Sequence, residues 1–266
     1  MEPSLLTSAS RHPVPTQAVP AAARPLIELR GLHKSFGAQQ VLRGVDLSVR
    51  RGEALVILGA SGGGKSVILK HCIGLLKPDA GEVRVDSRVI SSPATTDLAA
   101  IHRRMGMLFQ GAALFDSMNA GENVIFAVRE HDRSLTPAQL REIMVRNLAL
   151  VNLKPDIAGK MPSELSGGMK KRLGLARALA LKPEILLYDE PTTGLDPVTS
   201  EIINDLILHM QHKLGMTSII VTHDLTSAFK IADRIAFLYE GRIIFTGTPE
   251  ELRTCDDPRV REFVGA

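Results

Sequence analysis

The stretch Gly59-Ala60-Ser61-Gly62-Gly63-Gly64-Lys65-Ser66 constrains this chain more than any other feature of it. It follows a continuous apolar run, Ala54-Leu55-Val56-Ile57-Leu58, and leads into Val67, Ile68, Cys72 and Leu75 at helical spacing. A run apolar on both faces suits a strand buried in the middle of a sheet. The expected order is therefore strand, glycine loop, helix, with the helix over Ser66 to Leu76. The string fits G-x-x-x-x-G-K-[ST] in the context that gives that pattern its meaning. Its glycines let the backbone wrap so that successive N–H groups face phosphate oxygens. The helix N-terminus adds about half a positive charge at the same spot. Gly59, Ala60, Ser61, Gly62, Gly63 and Gly64 supply the cradle, Lys65 reaches the β- and γ-phosphates, and Ser66 puts its hydroxyl on Mg²⁺.

The second half of such a site lies far along the chain. Ile185 to Tyr188 reads as another buried strand and ends in Asp189-Glu190, at the strand end where open α/β sheets bind ligands. Asp189 is expected to hold Mg²⁺, directly or through water, and Glu190 to polarise an attacking water as general base. Leu165-Ser166-Gly167-Gly168-Met169 precedes a helix expected from about Lys170 to Leu181. The Ser166 hydroxyl, the amides of Gly167 and Gly168 and that helix N-terminus form a second anion-binding end without a lysine of its own. One chain can bring both ends to the same ATP only if two copies meet head to tail. Asp196, in Thr193-Gly194-Leu195-Asp196, is placed to lie at that joint.

The remaining patterning gives the organisation. Residues 1–25 are rich in Pro, Ala and Ser, show no periodicity and read as a disordered tail. Leu26 to Leu29 and Val45 to Val49 read as strands. About residues 110–165 read as a mainly helical insertion, with Thr136-Pro137 and Gln139 opening a helix whose apolar face carries Leu140, Ile143, Leu148 and Val151. Strand signals return at Ser218 to Val221 and in a hairpin around Glu240-Gly241. Thr248-Pro249-Glu250 opens a C-terminal helical tail over 249–266. Strands alternating with helices imply an α/β chain with a parallel sheet.

Composition narrows the function classes. Lys plus Arg number 32 and Asp plus Glu 29, a net charge of +3, so no polybasic tail is expected to carry the function. With 8 Phe, 2 Tyr and no Trp, stacking platforms for single-stranded nucleic acid are not expected. Cys72 and Cys255 are too few for a disulfide framework and read as buried thiols in a reducing compartment. No apolar run approaches the roughly 18 residues of a membrane span, and the N-terminus lacks the apolar core of a secretory signal.

The motif set resembles the ATPase subunits of ABC transporters from Leu26 to the C-terminal region. The resemblance implies a P-loop NTPase parallel-sheet core with an antiparallel β subdomain and an inserted α-helical subdomain, the ATP-binding domain covering 26–248. Gly59 to Ser66 match the Walker A motif, and Ile185 to Glu190 match Walker B. Ser166 to Met169 match the signature loop, with Met169 where Gln is usual. Gln110 matches the Q-loop residue that contacts Mg²⁺ and water, Asp196 the D-loop, and His223 the switch histidine. Phe36 stands where the family stacks an aromatic on adenine. Taken alone, His223 reads as a strand-end histidine and Phe36 as core. Val67 departs from the second Ser or Thr common after Gly-Lys-Ser. Leu108 to Met118, Glu122-Asn123-Val124, Leu165 to Arg172 and Asp257 to Phe263 narrow the resemblance to lipid-handling, Mla-type and Mce-associated members. These imply ATP and Mg²⁺ as cofactors and a homodimer on the cytoplasmic face of the inner membrane. They imply as partners an integral-membrane permease, an Mce-type lipid-binding protein and a small regulatory subunit, with no nucleic acid. Met118 to Phe126 is the expected groove for a permease helix. The function implied is to power phospholipid transport between inner and outer membranes, maintaining outer-membrane lipid asymmetry. The alternatives are another cargo, as in lipoprotein release or solute import, or a soluble non-transport ABC ATPase.

Overall fold

A strand that is apolar at every position, such as Ala54 to Leu58, needs cover on both faces, and the computed structural model shows how it and four parallel neighbours obtain it. The structure describes residues 24–91 and 98–265, so the expected tail lies outside the described residues except for Arg24 and Pro25. β3 (Ala54–Leu58), β6 (Met105–Leu108), β7 (Ile185–Asp189), β8 (Thr217–Thr222) and β9 (Arg234–Tyr239) are parallel neighbours. β10 (Arg242–Gly247) adds an antiparallel edge, giving the order β10-β9-β3-β8-β7-β6. The two-residue period of a strand then sorts its side chains between two cores. Ala54, Val56, Leu58, Leu186, Tyr188, Ile220 and Phe237 face one cluster. Leu55, Ile57, Ile185, Leu187, Ile219, Val221 and Ala236 face the other.

The second cluster is closed by an antiparallel sheet of order β2-β1-β4-β5. Its strands are β1 (Ile27–Phe36), β2 (Gln39–Val49), β4 (Ala80–Val85) and β5 (Arg88–Val89). It is further closed by α1 (Lys65–Cys72) and α2 (Leu98–Arg103). The first cluster is covered by α3 (Ala120–His131), α4 (Pro137–Leu150), α5 (Gly167–Leu179), α6 (Pro197–Leu214) and α7 (Leu225–Ile231). The terminal helices α8 (Pro249–Arg253) and α9 (Pro258–Val264) join them, burying Leu252 and Val260 and setting the Phe263 ring 5.0 Å from that of Phe237.

Local chemistry explains most boundaries. Thr136 and Gln139 form a capping box at α4, and Thr248 and Glu251 one at α8. Asn119 and Glu122 do the same for α3. β1 runs past Leu29 to Phe36 because β2 pairs with it through to Gln39, a tertiary support that periodicity does not report. α1 stops at Cys72, short of Leu76, as Gly74 turns to φ 73° and the amides of Leu75 and Leu76 close back on the Lys70 carbonyl. α5 begins at Gly167, earlier than the expected Lys170, because Ser166 caps it by accepting from the Met169 amide at 3.3 Å. Cys72 and Cys255 are both free. Burial pushes the Cys72 thiol up to about 12 and leaves it inert, whereas Cys255 is only half-buried.

Two glycines hold these layers where the site needs them. In the β9–β10 turn, Gly241 adopts φ 77° and its carbonyl accepts from the Arg43 amide at 2.8 Å, tying the core sheet to β2. At the end of β3, a Cβ on Gly59 would sit 2.4 Å from the Leu238 carbonyl oxygen. Gly59→Ala is therefore expected to cost about 1–3 kcal/mol through forced backbone displacement, read as a lowered urea midpoint at unchanged m-value.

Candidate functional site

Parallel pairing puts the ends of β3, β7 and β8 side by side, with Leu58 opposite Thr222 and Asp189 opposite Val221. The segments that leave these ends, Gly59 to Ser66, Asp189-Glu190 and His223, therefore meet at one edge of the sheet. β6 delivers Gln110 to the same edge. Between them lies a cleft of about 340 Å³ lined by Ser61, Gly62, Gly64, Lys65, Ser66, Val67, Gln110 and Glu190, with Phe36, Gln39 and Val41 along one wall. Phe36 is not core: it is 47% exposed at the rim, with the Lys34 ammonium 5.6 Å from its ring centre.

The polar groups at the floor are mutually satisfied. Lys65 is 5% exposed, and its ammonium donates to the carbonyls of Gly59 (2.8 Å) and Ala60 (3.0 Å) while lying 3.2 Å from Glu190 Oε1. Glu190 Oε2 accepts from Thr193 Oγ1 at 3.1 Å and pairs with His223 Nδ1 at 2.9 Å. Burial works to raise the Glu190 pKa, but His223 and the Lys65 ammonium outweigh it and hold the carboxyl below its usual value. Ser66 Oγ donates to Asp189 Oδ1 at 2.7 Å. That hydroxyl and carboxylate, two hard oxygen donors beside the phosphate cradle, suit Mg²⁺, which takes one or two protein oxygens and completes its shell from phosphate and water. No side chain caps α1, whose N-terminal end opens on the cleft.

Glu190 itself is held in an unusual backbone state. Its φ is 47°, a left-handed conformation that costs a non-glycine residue about 1–3 kcal/mol. Its amide donates to the Val221 carbonyl at 2.9 Å, and its carbonyl accepts from the ammonium of Lys171 at 3.0 Å. Sequence reading missed Lys171, as it missed Thr193, Gln39 and Val41. A lysine on the buried face of an expected helix was the available signal for Lys171, and the run of β1 to Phe36 would have found the other wall of the cleft.

The remaining expected residues gather elsewhere. Ser166 and Gly167 are exposed, and a Cβ on Gly168 would lie 2.4 Å from Thr199 Cγ2, so this loop packs on the start of α6. Asp196 caps α6, accepting from the Thr199 amide at 3.0 Å and from its hydroxyl at 2.5 Å. Neither segment lines the cleft. The exposed Asp196 and the 73% exposed Val198 sit beside the glycine pair on a separate surface.

The motif residues thus divide between one cleft and one outer surface. A model of the ABC transporter family aligns with residues 42–193, more than half of the chain. The chain belongs to the ABC transporter family. Among its relatives, the probable ribonucleotide transport ATP-binding protein mkl of Mycobacterium tuberculosis is 43% identical over 90% of this chain. The chain spans 66% of that protein's length. The intermembrane phospholipid transport system ATP-binding protein MlaF of Escherichia coli is 37% identical, over 90% of this chain and 88% of its own. A solved ABC cassette, dimeric and bound to ADP and Pi after hydrolysis, superposes with a TM-score of 0.78 at 32% identity, over 84% of this chain and 98% of that one. No helix among the described residues is long and apolar enough to cross a membrane.

Proposed function

We propose that this chain hydrolyses ATP as the peripheral, cytoplasmic subunit of a transporter that moves phospholipid between the inner and outer membranes of an envelope and so maintains outer-membrane lipid asymmetry. The observation that carries the ATPase reading is the division just described. The cleft holds a cation, a carboxylate base and a hydroxyl–carboxylate pair, while a second anion-binding end lies on a different surface. Two copies facing head to tail complete each other's sites, as suits a relative of a dimeric ADP-bound cassette.

In this reading Phe36 stacks on the base and the amides of Gly59 to Ser66 take the phosphates. Lys65 leaves the Gly59 and Ala60 carbonyls for the β- and γ-phosphate oxygens. Ser66, Asp189 and Gln110 would hold Mg²⁺, which when bound neutralises charge on the transferring phosphoryl group. Without nucleotide the cation and the base neutralise each other, Lys65 lying 3.2 Å from Glu190. Phosphate binding separates them, so the base is released only when there is something to hydrolyse. Glu190 then takes a proton from water as its oxygen bonds to the γ-phosphorus and the bond to the bridging oxygen breaks. His223 holds the carboxylate through Nδ1. Ser166, Gly167 and Gly168 of the second copy close over the γ-phosphate, with Asp196 at the joint. ADP lacks that bridge, so hydrolysis shifts the pair toward its open state.

The permease contact in this proposal is Met118 to Phe126, at the start of α3. Buried Asn123 donates to the carbonyls of Phe115, Met118 and Asn119 and accepts from the Phe115 amide at 2.8 Å. It thereby fixes Phe115, 40% exposed and 4.8 Å ring to ring from Phe126. An Mce-type lipid-binding protein and a small regulatory subunit complete the assembly proposed.

Phospholipid is favoured as cargo by the likeness to MlaF, which spans most of both chains. The name of mkl favours ribonucleotide as the second reading. The test is purification of the full chain with its membrane partners and assay of ATP-dependent transfer of labelled phospholipid between vesicles. Transfer that needs ATP is expected. ATPase activity stimulated by ribonucleotide, with no lipid moved, would overturn the cargo.

A further inference from the structure

A buried lysine ammonium on a backbone carbonyl is an expensive way to make one hydrogen bond, and Lys171 makes it to the carbonyl of the one residue in the cleft floor whose conformation is strained. Lys171 is 5% exposed. Burial lowers its pKa, while the facing carboxylates of Asp189 and Glu190 oppose that shift. The helix that carries it touches the site at two further places. At the next third position along α5, a Cβ on Gly174 would meet Leu108 Cδ1 at 3.0 Å and the Ala112 carbonyl at 3.2 Å. At the third position after that, Arg177 donates to the carbonyls of Ala113 (2.6 Å) and Ala112 (3.0 Å), two non-glycine residues at φ 50° and 60°. One stripe of α5 thus grips the Gln110 loop and the Glu190 backbone, and the same helix is capped by Ser166.

We infer that Lys171 is a positioning residue for hydrolysis: through the Glu190 carbonyl it locks the base in its left-handed conformation and links it, by the rigid body of α5, to the Ser166 loop that serves the other copy's nucleotide. The inference rests on Glu190 being the base. A carboxylate that relaxes out of this conformation still lies near the cleft but no longer where it can take the proton of an attacking water. Loss of Lys171 should therefore slow the chemical step without weakening nucleotide binding.

The test uses the full chain with Lys171→Met, Lys171→Arg and Glu190→Gln made in parallel. Met fills a similar volume but leaves the Glu190 carbonyl without its donor, so K171M is expected to fold and to melt somewhat below wild type. Its kcat is expected to fall about tenfold to hundredfold, as for misplaced catalytic groups, with KM for ATP unchanged. K171R, which keeps a donor on a long stem, is expected to recover most of the rate. A wild-type kcat in K171M, a fall of ATP affinity in step with kcat, or a K171R chain as slow as K171M each overturns the inference. If Glu190→Gln hydrolyses ATP at the wild-type rate, the assignment of the base fails as well. If that variant is inactive and K171M is not impaired, only the positioning role is lost.

Discussion

Glu190→Gln is expected to lower kcat about 10²–10⁴-fold, the usual contribution of a general base, while leaving ATP binding intact or tighter. The two effects have separate origins in the cleft. Glutamine cannot accept the proton of the attacking water, so the chemical step loses its acceptor. The same change removes the charge 3.2 Å from the Lys65 ammonium, so phosphate no longer competes with a buried carboxylate for that cation. ATP-held dimers should accumulate in this variant. Single-turnover hydrolysis and size-exclusion chromatography with ATP measure the two effects independently. A variant that turned over normally would remove Glu190 from the chemistry, and one that failed to bind ATP would show that its role is structural.

Lys65→Ala is expected to weaken ATP binding about tenfold to hundredfold, the loss of charge-assisted hydrogen bonds to phosphate worth about 1.5–3 kcal/mol. Isothermal titration calorimetry of the full chain with ATP measures it, and unchanged affinity would refute the role. The variant should also alter acid stability in a defined direction. Glu190 is held below its usual pKa with Lys65 among the causes. The stability it contributes is full above the ordinary carboxylate pKa and is lost as pH falls through the depressed value. Without the ammonium that depression shrinks. The wild-type advantage over Lys65→Ala in urea midpoint should therefore narrow as the pH is lowered through the carboxylate range.

Some of the site was legible because its chemistry is local in the chain. Gly59 to Ser66 declare themselves through contiguous residues whose backbone needs are met within one turn and one helix start. Asp189 and Glu190 were legible for a related reason: an apolar strand ending in two carboxylates can place them only at the sheet edge. The capping boxes at α4 and α8 were equally local. Lys171 was not legible in this way. Its partner is a backbone carbonyl, and a carbonyl carries no identity that a sequence could display. The same holds for Arg177, whose two acceptors are the carbonyls of Ala112 and Ala113.

The chain's own pattern determined that Ala54 to Leu58 and Ile185 to Tyr188 would be buried strands and that a glycine loop would lead from the first of them into a helix. These follow from side-chain periodicity and from turn chemistry, which act over a few residues. Only the tertiary structure decided which strand ends share a cleft. The order β9-β3-β8-β7-β6 brings Gly59, His223, Glu190 and Gln110 to one edge and leaves Gly167 and Gly168 packed on Leu195 and Thr199 beside the cap Asp196, away from the cleft. That order is set by which apolar faces fit against which helices, a sum of many weak contacts between residues far apart in the chain. The pairing of Lys65 with Glu190 and the left-handed turn that Lys171 secures are consequences of that sum.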